Sequence, residues 1–131
     1  GWVSNLQTAF DQYLEDGGPA YVPKYKLTPS QAVNIIQQAA GIPVLAHPGE
    51  IGDRQLVNQL LTAEDFSGLE AYYSGHSKEE TDYYLQLANE YNLLVTGGSD
   101  CHGPAHEDKF LLGTVDVPYR LLEKLKKLIK S

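Results

Sequence analysis

Apolar and polar positions along this chain follow two periods, one of helices and one of strands. Residues 4–15 place Leu6, Phe10, Tyr13 and Leu14 at helical spacing, and Asp16-Gly17-Gly18-Pro19 stops the pattern. An aromatic, Pro-containing connection follows over residues 20–27, with Tyr21, Lys24, Tyr25 and Lys26. Thr28-Pro29-Ser30-Gln31 predicts a helix start, with Thr28 as N-cap, Pro29 at the first helical position and Gln31 closing a capping box. The stripe expected to be buried on that helix is Ala32, Ile35, Ile36, Ala39 and Ala40, with Gly41 ending it. Ser77-Lys78-Glu79-Glu80 is a second capping box. It opens a helix carrying Tyr84, Leu87, Ala88 and Tyr91, with Asn92 as C-cap. Further helices are predicted over 54–63 and over 119–129, the last with Leu121, Leu122, Leu125, Leu128 and Ile129 on its core face.

Between the helices lie short apolar runs, Ile42 to Ala46, Gly68 to Tyr73 and Leu93 to Thr96. Strands alternating with helices predict parallel βα units, hence an α/β protein. Their near-continuous apolar character fits a sheet buried on both faces. There is no internal repeat and no low-complexity segment.

In βα folds, functional groups collect where the strands end. Here the first run ends in His47-Pro48-Gly49, the second in Ser74-Gly75-His76, and the third in Gly97-Gly98-Ser99-Asp100-Cys101-His102-Gly103. Three of the four histidines lie at these ends. Asp100 and His102 are two apart, so in an extended chain they share a face. A carboxylate oxygen beside an imidazole nitrogen suits a divalent transition metal, and His47 is a candidate ligand on the same rim. His76, just before an N-cap, is a candidate contact for a substrate anion. Glu70 is either a partner that orients a ligand histidine or the mate of a basic residue. Alternation turns Cys101 to the opposite face as a packing residue, and His106 is expected to be solvated.

The chain has 131 residues, enough for a single domain or a piece of one. No apolar run approaches the roughly 18 residues of a membrane span. The N-terminus lacks a signal-peptide pattern, and one cysteine fits a reducing compartment, so a cytoplasmic location is expected. A net charge of −7 excludes an extended duplex-DNA surface but not a small phosphate-bearing substrate beside bound cations. Lys124, Lys126, Lys127 and Lys130 read as a solvated helix face. The sequence contains no Met, so Gly1 is expected to be a cut point and the chain to be part of something longer.

Three segments in this order carry a family resemblance. Leu45-Ala46-His47-Pro48-Gly49, Gly68 to Tyr73 with Ser74-Gly75-His76-Ser77, and Thr96 to Gly103 resemble the C-terminal half of the PHP (polymerase and histidinol phosphatase) family, above all its stand-alone bacterial phosphoesterases. The resemblance implies a distorted (β/α)7 barrel. Residues 1–27 would belong to a small helical insertion, and 28–131 would be C-terminal βα units of an incomplete domain. It further implies two or three divalent ions (Mn, Zn or Fe), with His47, Asp100 and His102 each binding a different one, and metal-dependent hydrolysis of nucleotide phosphates or short oligonucleotides. The family's opening His-x-His and bridging Glu are absent from this sequence. The expected partner is therefore the missing N-terminal half, and this segment alone is expected to be inactive. The rival expectations are a catalytically degenerate regulatory or scaffolding module and a proofreading module attached to a polymerase.

Overall fold

The computed structural model describes residues 2–103 and 111–129. His106 and Lys130 lie outside the described residues. Among the described residues, the sheet has three parallel strands, β1 (Val44–Leu45), β2 (Gly68–Tyr73) and β3 (Leu94–Gly98), in the spatial order β1-β2-β3. Val44 pairs with Gly68 and Leu45 with Leu69. Between β2 and β3 the register runs Gly68–Leu94 to Glu70–Thr96, then resumes at Tyr72–Gly97 and Tyr73–Gly98. This β-bulge puts the end of β2 out of step with its beginning, a device common beside functional sites.

The helices form as their caps dictate. Helix α1 (Leu6–Ala9) is capped by Asn5 and runs into a single π turn, Phe10–Leu14. Helix α2 (Pro29–Gln38) and helix α4 (Lys78–Glu90) both have complete capping boxes, at Thr28/Gln31 and Ser77/Glu80. Helix α3 (Arg54–Ala63) starts at Asp53, whose carboxylate accepts the Gln55 and Leu56 amides. Helix α5 spans Tyr119–Ile129 and packs on β3, where Leu121, Leu122 and Leu125 face Val95, Thr96 and Gly97 around a space of about 100 Å³. Lys124, Lys126 and Lys127 are exposed on it. Among the described residues, no helix is long and apolar enough to cross a membrane.

The core sits under one face of the sheet. Leu69 and Ala71 of β2, two apart and therefore on one side, are buried against Val57 and Leu61 of α3 and Tyr84, Leu87 and Ala88 of α4. Glu70 and Tyr72, between and beyond them, stay half-buried. The expectation of a sheet covered on both faces is thus met on one face only among the described residues. The stripe expected on α2 also differs. Val33 is buried, whereas Ile35, Ile36, Ala39 and Ala40 are exposed, because α2 is tethered by polar contacts at its side rather than by its apolar stripe. Ser30 Oγ donates to Glu64, and Gln37 Nε2 donates to the Asp65 carboxylate at 2.7 Å. Leu6, Phe10, Tyr13 and Leu14 of the first helical segment are likewise exposed.

Candidate metal and phosphate rim

Strand β1 ends in a backbone that ordinary residues avoid. His47 has φ 30° and ψ 58°, a left-handed conformation, although Pro48 follows it. Proline pushes its predecessor towards extended backbone, so this geometry persists only when neighbours fix it. Three things do so. The His47 amide donates to Glu70 Oε2 at 2.8 Å. Pro48 is fully buried and opens a short 3-10 turn, Pro48–Ile51. The Gly49 amide, beyond the proline, donates to His76 Nε2 at 3.1 Å. Of the two roles open to Glu70, the structure places it beside a candidate ligand histidine, through that residue's backbone. Its other oxygen faces Gly98 at the end of β3.

The His47 ring leans on its own turn. Nδ1 lies 3.5 Å from Glu50 Oε2, three residues on, and the ring meets Tyr73 with centroids 5.6 Å apart. The Tyr73 hydroxyl donates to Glu50 Oε1. That hydrogen bond, then burial, then the negative charge of Glu50, Asp100 and Glu70 push the Tyr73 phenol up to about 12. Three carboxylates, one after β1, one within β2 and one after β3, therefore act on one hydroxyl. Sequence reasoning missed Glu50 and Tyr73. Their signal was faint: a Glu three residues after a His-Pro, and a tyrosine closing an aromatic strand.

Strand β3 ends at Gly98, so the run to Asp100 and His102 is not the extended chain expected. Asp100 has φ 53° and turns the backbone. The turn still brings the two side chains together, with His102 Nε2 3.9 Å from Asp100 Oδ1, both substantially exposed. Ser74 Oγ donates to the Ser99 carbonyl at 2.8 Å, tying the ends of β2 and β3. Cys101 between them is half-buried. Among the described residues, no three His, Cys, Asp or Glu side chains converge tightly enough to hold one ion.

His76 is held by both ring nitrogens. Its Nε2 accepts from Gly49, so Nδ1 carries the proton and donates to the Ala71 carbonyl at 2.9 Å. Tyr73 packs edge-on against the ring at 5.1 Å and Tyr84 lies against it at 4.8 Å. A contact with a substrate anion would require His76 to release one of these two hydrogen bonds.

No family model matches the chain. It is 31% identical over 122 residues to a 3′,5′-nucleoside bisphosphate phosphatase of Chromobacterium violaceum, covering 90% of this chain and 43% of that protein. It is 30% identical over 116 residues to the 5′-3′ exoribonuclease Rnm of Escherichia coli, covering 79% of this chain and 37% of that protein. Both relatives cleave phosphate esters, and both align across the strand-end motifs' span of the chain. These matches fit the PHP family that the strand-end motifs resemble. A solved amidohydrolase structure from Chromobacterium violaceum, with bound sulfate and no metal, matches with a TM-score of 0.68 at 29% identity, covering 98% of this chain and 46% of that one. The chain spans less than half the length of each of these relatives.

Proposed function

We propose that this segment supplies part of the metal-binding rim of a metal-dependent phosphoesterase acting on nucleotide phosphates or short oligonucleotides. The observation that carries the reading is that His47 and Glu50 follow β1, Asp100 and His102 follow β3, and Glu50, Asp100 and Glu70 all act on the Tyr73 hydroxyl at the end of β2. Among the described residues, the carboxylates there are met by histidines and a phenol, not by lysine or arginine. A rim of that sign repels a phosphate unless cations lie between them.

The donor chemistry fits divalent ions. Imidazole nitrogens and carboxylate oxygens are the ligands such ions take. The number does not yet suffice, and the 3.9 Å between His102 and Asp100 exceeds the ~3.4 Å between neighbouring ligands of a tetrahedral ion. His47, Asp100 and His102 would hold separate ions completed by donors elsewhere in the whole protein. The half-exposed sheet face bearing Glu70 and Tyr72 would then line the interior of the closed barrel. Bound ions would supply Lewis acidity to the phosphate oxygens and to water. The chain's own residues orient the donors: Glu70 holds the His47 backbone, and Glu50, braced by Tyr73, lies beside Nδ1, so that Nε2 would be the ligating atom.

The test assays the whole protein with added Mn²⁺ on a nucleoside 3′,5′-bisphosphate and on a short oligoribonucleotide. Asp100→Ala and His102→Ala should each lower turnover by roughly 100-fold or more while the melting temperature changes little. Normal turnover by either variant would remove that residue from the site. Turnover by residues 1–131 alone, equal to that of the whole protein, would overturn the reading of an incomplete rim.

A further inference from the structure

We infer that His76 is a positioning residue that latches the His47 turn in its left-handed form, rather than a group that touches substrate. Its importance for catalysis rests on the proposed role of His47, but the latch itself is a property of this chain.

The geometry is specific. His76 joins three elements through one ring: the Ala71 carbonyl of β2 by Nδ1, the Gly49 amide of the 48–51 turn by Nε2, and Tyr84 of α4 by its face. Gly49 is where the turn meets the ring. A Cβ there would lie 2.7 Å from His76 Cδ2 and 2.8 Å from Nε2, so the close approach needs glycine. Glu70 secures the backbone just before Pro48, and His76 secures it just after. Strain at His47 is held between these two points. Releasing the second frees Gly49, and the turn can relax towards the extended backbone that proline favours in its predecessor. The ligand ring of His47 then leaves its place beside Glu50.

Two near-isosteric variants separate the two hydrogen bonds. In His76→Gln the side-chain oxygen can stand where Nε2 stands and keep the Gly49 bond. In His76→Asn the amide nitrogen can stand where Nδ1 stands, keeping the Ala71 bond and losing Gly49. Both would be made in the whole protein. The first readout is amide hydrogen exchange at Gly49, which needs no metal. It should accelerate roughly three- to tenfold in His76→Asn and stay near wild type in His76→Gln. The second readout is Mn²⁺ affinity by calorimetric titration, which should fall about 10-fold or more in His76→Asn and recover in His76→Gln.

Unchanged Gly49 protection in His76→Asn would overturn the latch. So would a raised KM in both variants at saturating Mn²⁺ with Gly49 protection and Mn²⁺ affinity intact, since that pattern belongs to a substrate contact. If His76→Asn does not fold, the nitrogen shifts of the wild-type ring decide: a proton on Nδ1 supports the latch and a proton on Nε2 refutes it. A wild-type protein that binds no Mn²⁺ would sink the proposed metal site, while exchange at Gly49 would still judge the latch on its own.

Discussion

Gly97 has no room for a side chain. A Cβ on it would stand 2.4 Å from Tyr72 Cβ and 2.6 Å from the Tyr72 carbonyl oxygen, both fixed by the bulged pairing of β2 with β3. Gly98, next to it, would meet nothing closer than Glu70 Oε1 at 3.9 Å. Gly97→Ala should therefore lower stability by about 1–3 kcal/mol, and Gly98→Ala by much less, measured as denaturant midpoints. Equal effects would mean that the bulge gives way. Tyr73 offers a second residue-scale check. A free tyrosine loses its proton near 10.0, and in the fold Tyr73 keeps it to about 12. Between those values the folded chain binds the extra proton. The stabilisation is therefore complete below about 10 and is lost as pH rises towards 12. Glu50→Gln should bring the tyrosinate transition of Tyr73, isolated as the difference from Tyr73→Phe, back towards the ordinary value. An unmoved transition would assign the shift to burial. That His47, Asp100 and His102 follow strands was legible in the sequence, because short apolar runs ending in polar residues form a linear pattern. Glu50 and Tyr73 were not, because their roles come from a left-handed turn and a bulge, and neither has a residue signature.

Elements were legible where a cap spells them out. Thr28 and Ser77 start their helices as read; Asn92, expected as the C-cap of α4, lies one residue beyond the actual cap, Tyr91, where it makes the left-handed turn at φ 53°. The end of α2 shows what local pattern hides. Gly41 was expected to end the helix; the left-handed residue there is Ala40, at φ 55°, and the Gly41 amide bonds the Ile36 carbonyl at 2.8 Å. A Cβ on Gly41 would meet Ile36 Cγ2 at 2.9 Å, so glycine is needed there for space rather than for handedness. Ala40→Gly should raise stability by about 0.5–1 kcal/mol in thermal or denaturant melts, because glycine removes the left-handed penalty. A loss instead would show that the helix end frays before this turn matters. The first segment diverged most. Its helical spacing is real, but the chain makes one short α turn and one π turn, with its apolar side chains exposed. Periodicity states which residues can share a face, and only a covering surface decides whether that face is buried.

At the scale of the whole molecule, a sheet with one face covered by α3 and α4 and the other half-open is a wall rather than an enclosure. The parallel βα order was legible, since helical and strand periods alternate cleanly. The half-open face was not, because a strand lining a barrel and a strand buried in a two-sided sheet have the same apolar composition. The in-order arrangement β1-β2-β3 has a consequence for how such a wall is built. Every pairing joins strands separated by roughly 25 residues, so no step must wait for a distant part of the chain. Each strand can dock on its predecessor as it leaves the ribosome, and the sheet grows by accretion in one direction. Among the described residues, the middle strand alone is paired on both edges. Its amides, at Leu69 to Ala71, should be the last to exchange with solvent, while those of β1 exchange early unless a preceding strand arrives to cover them.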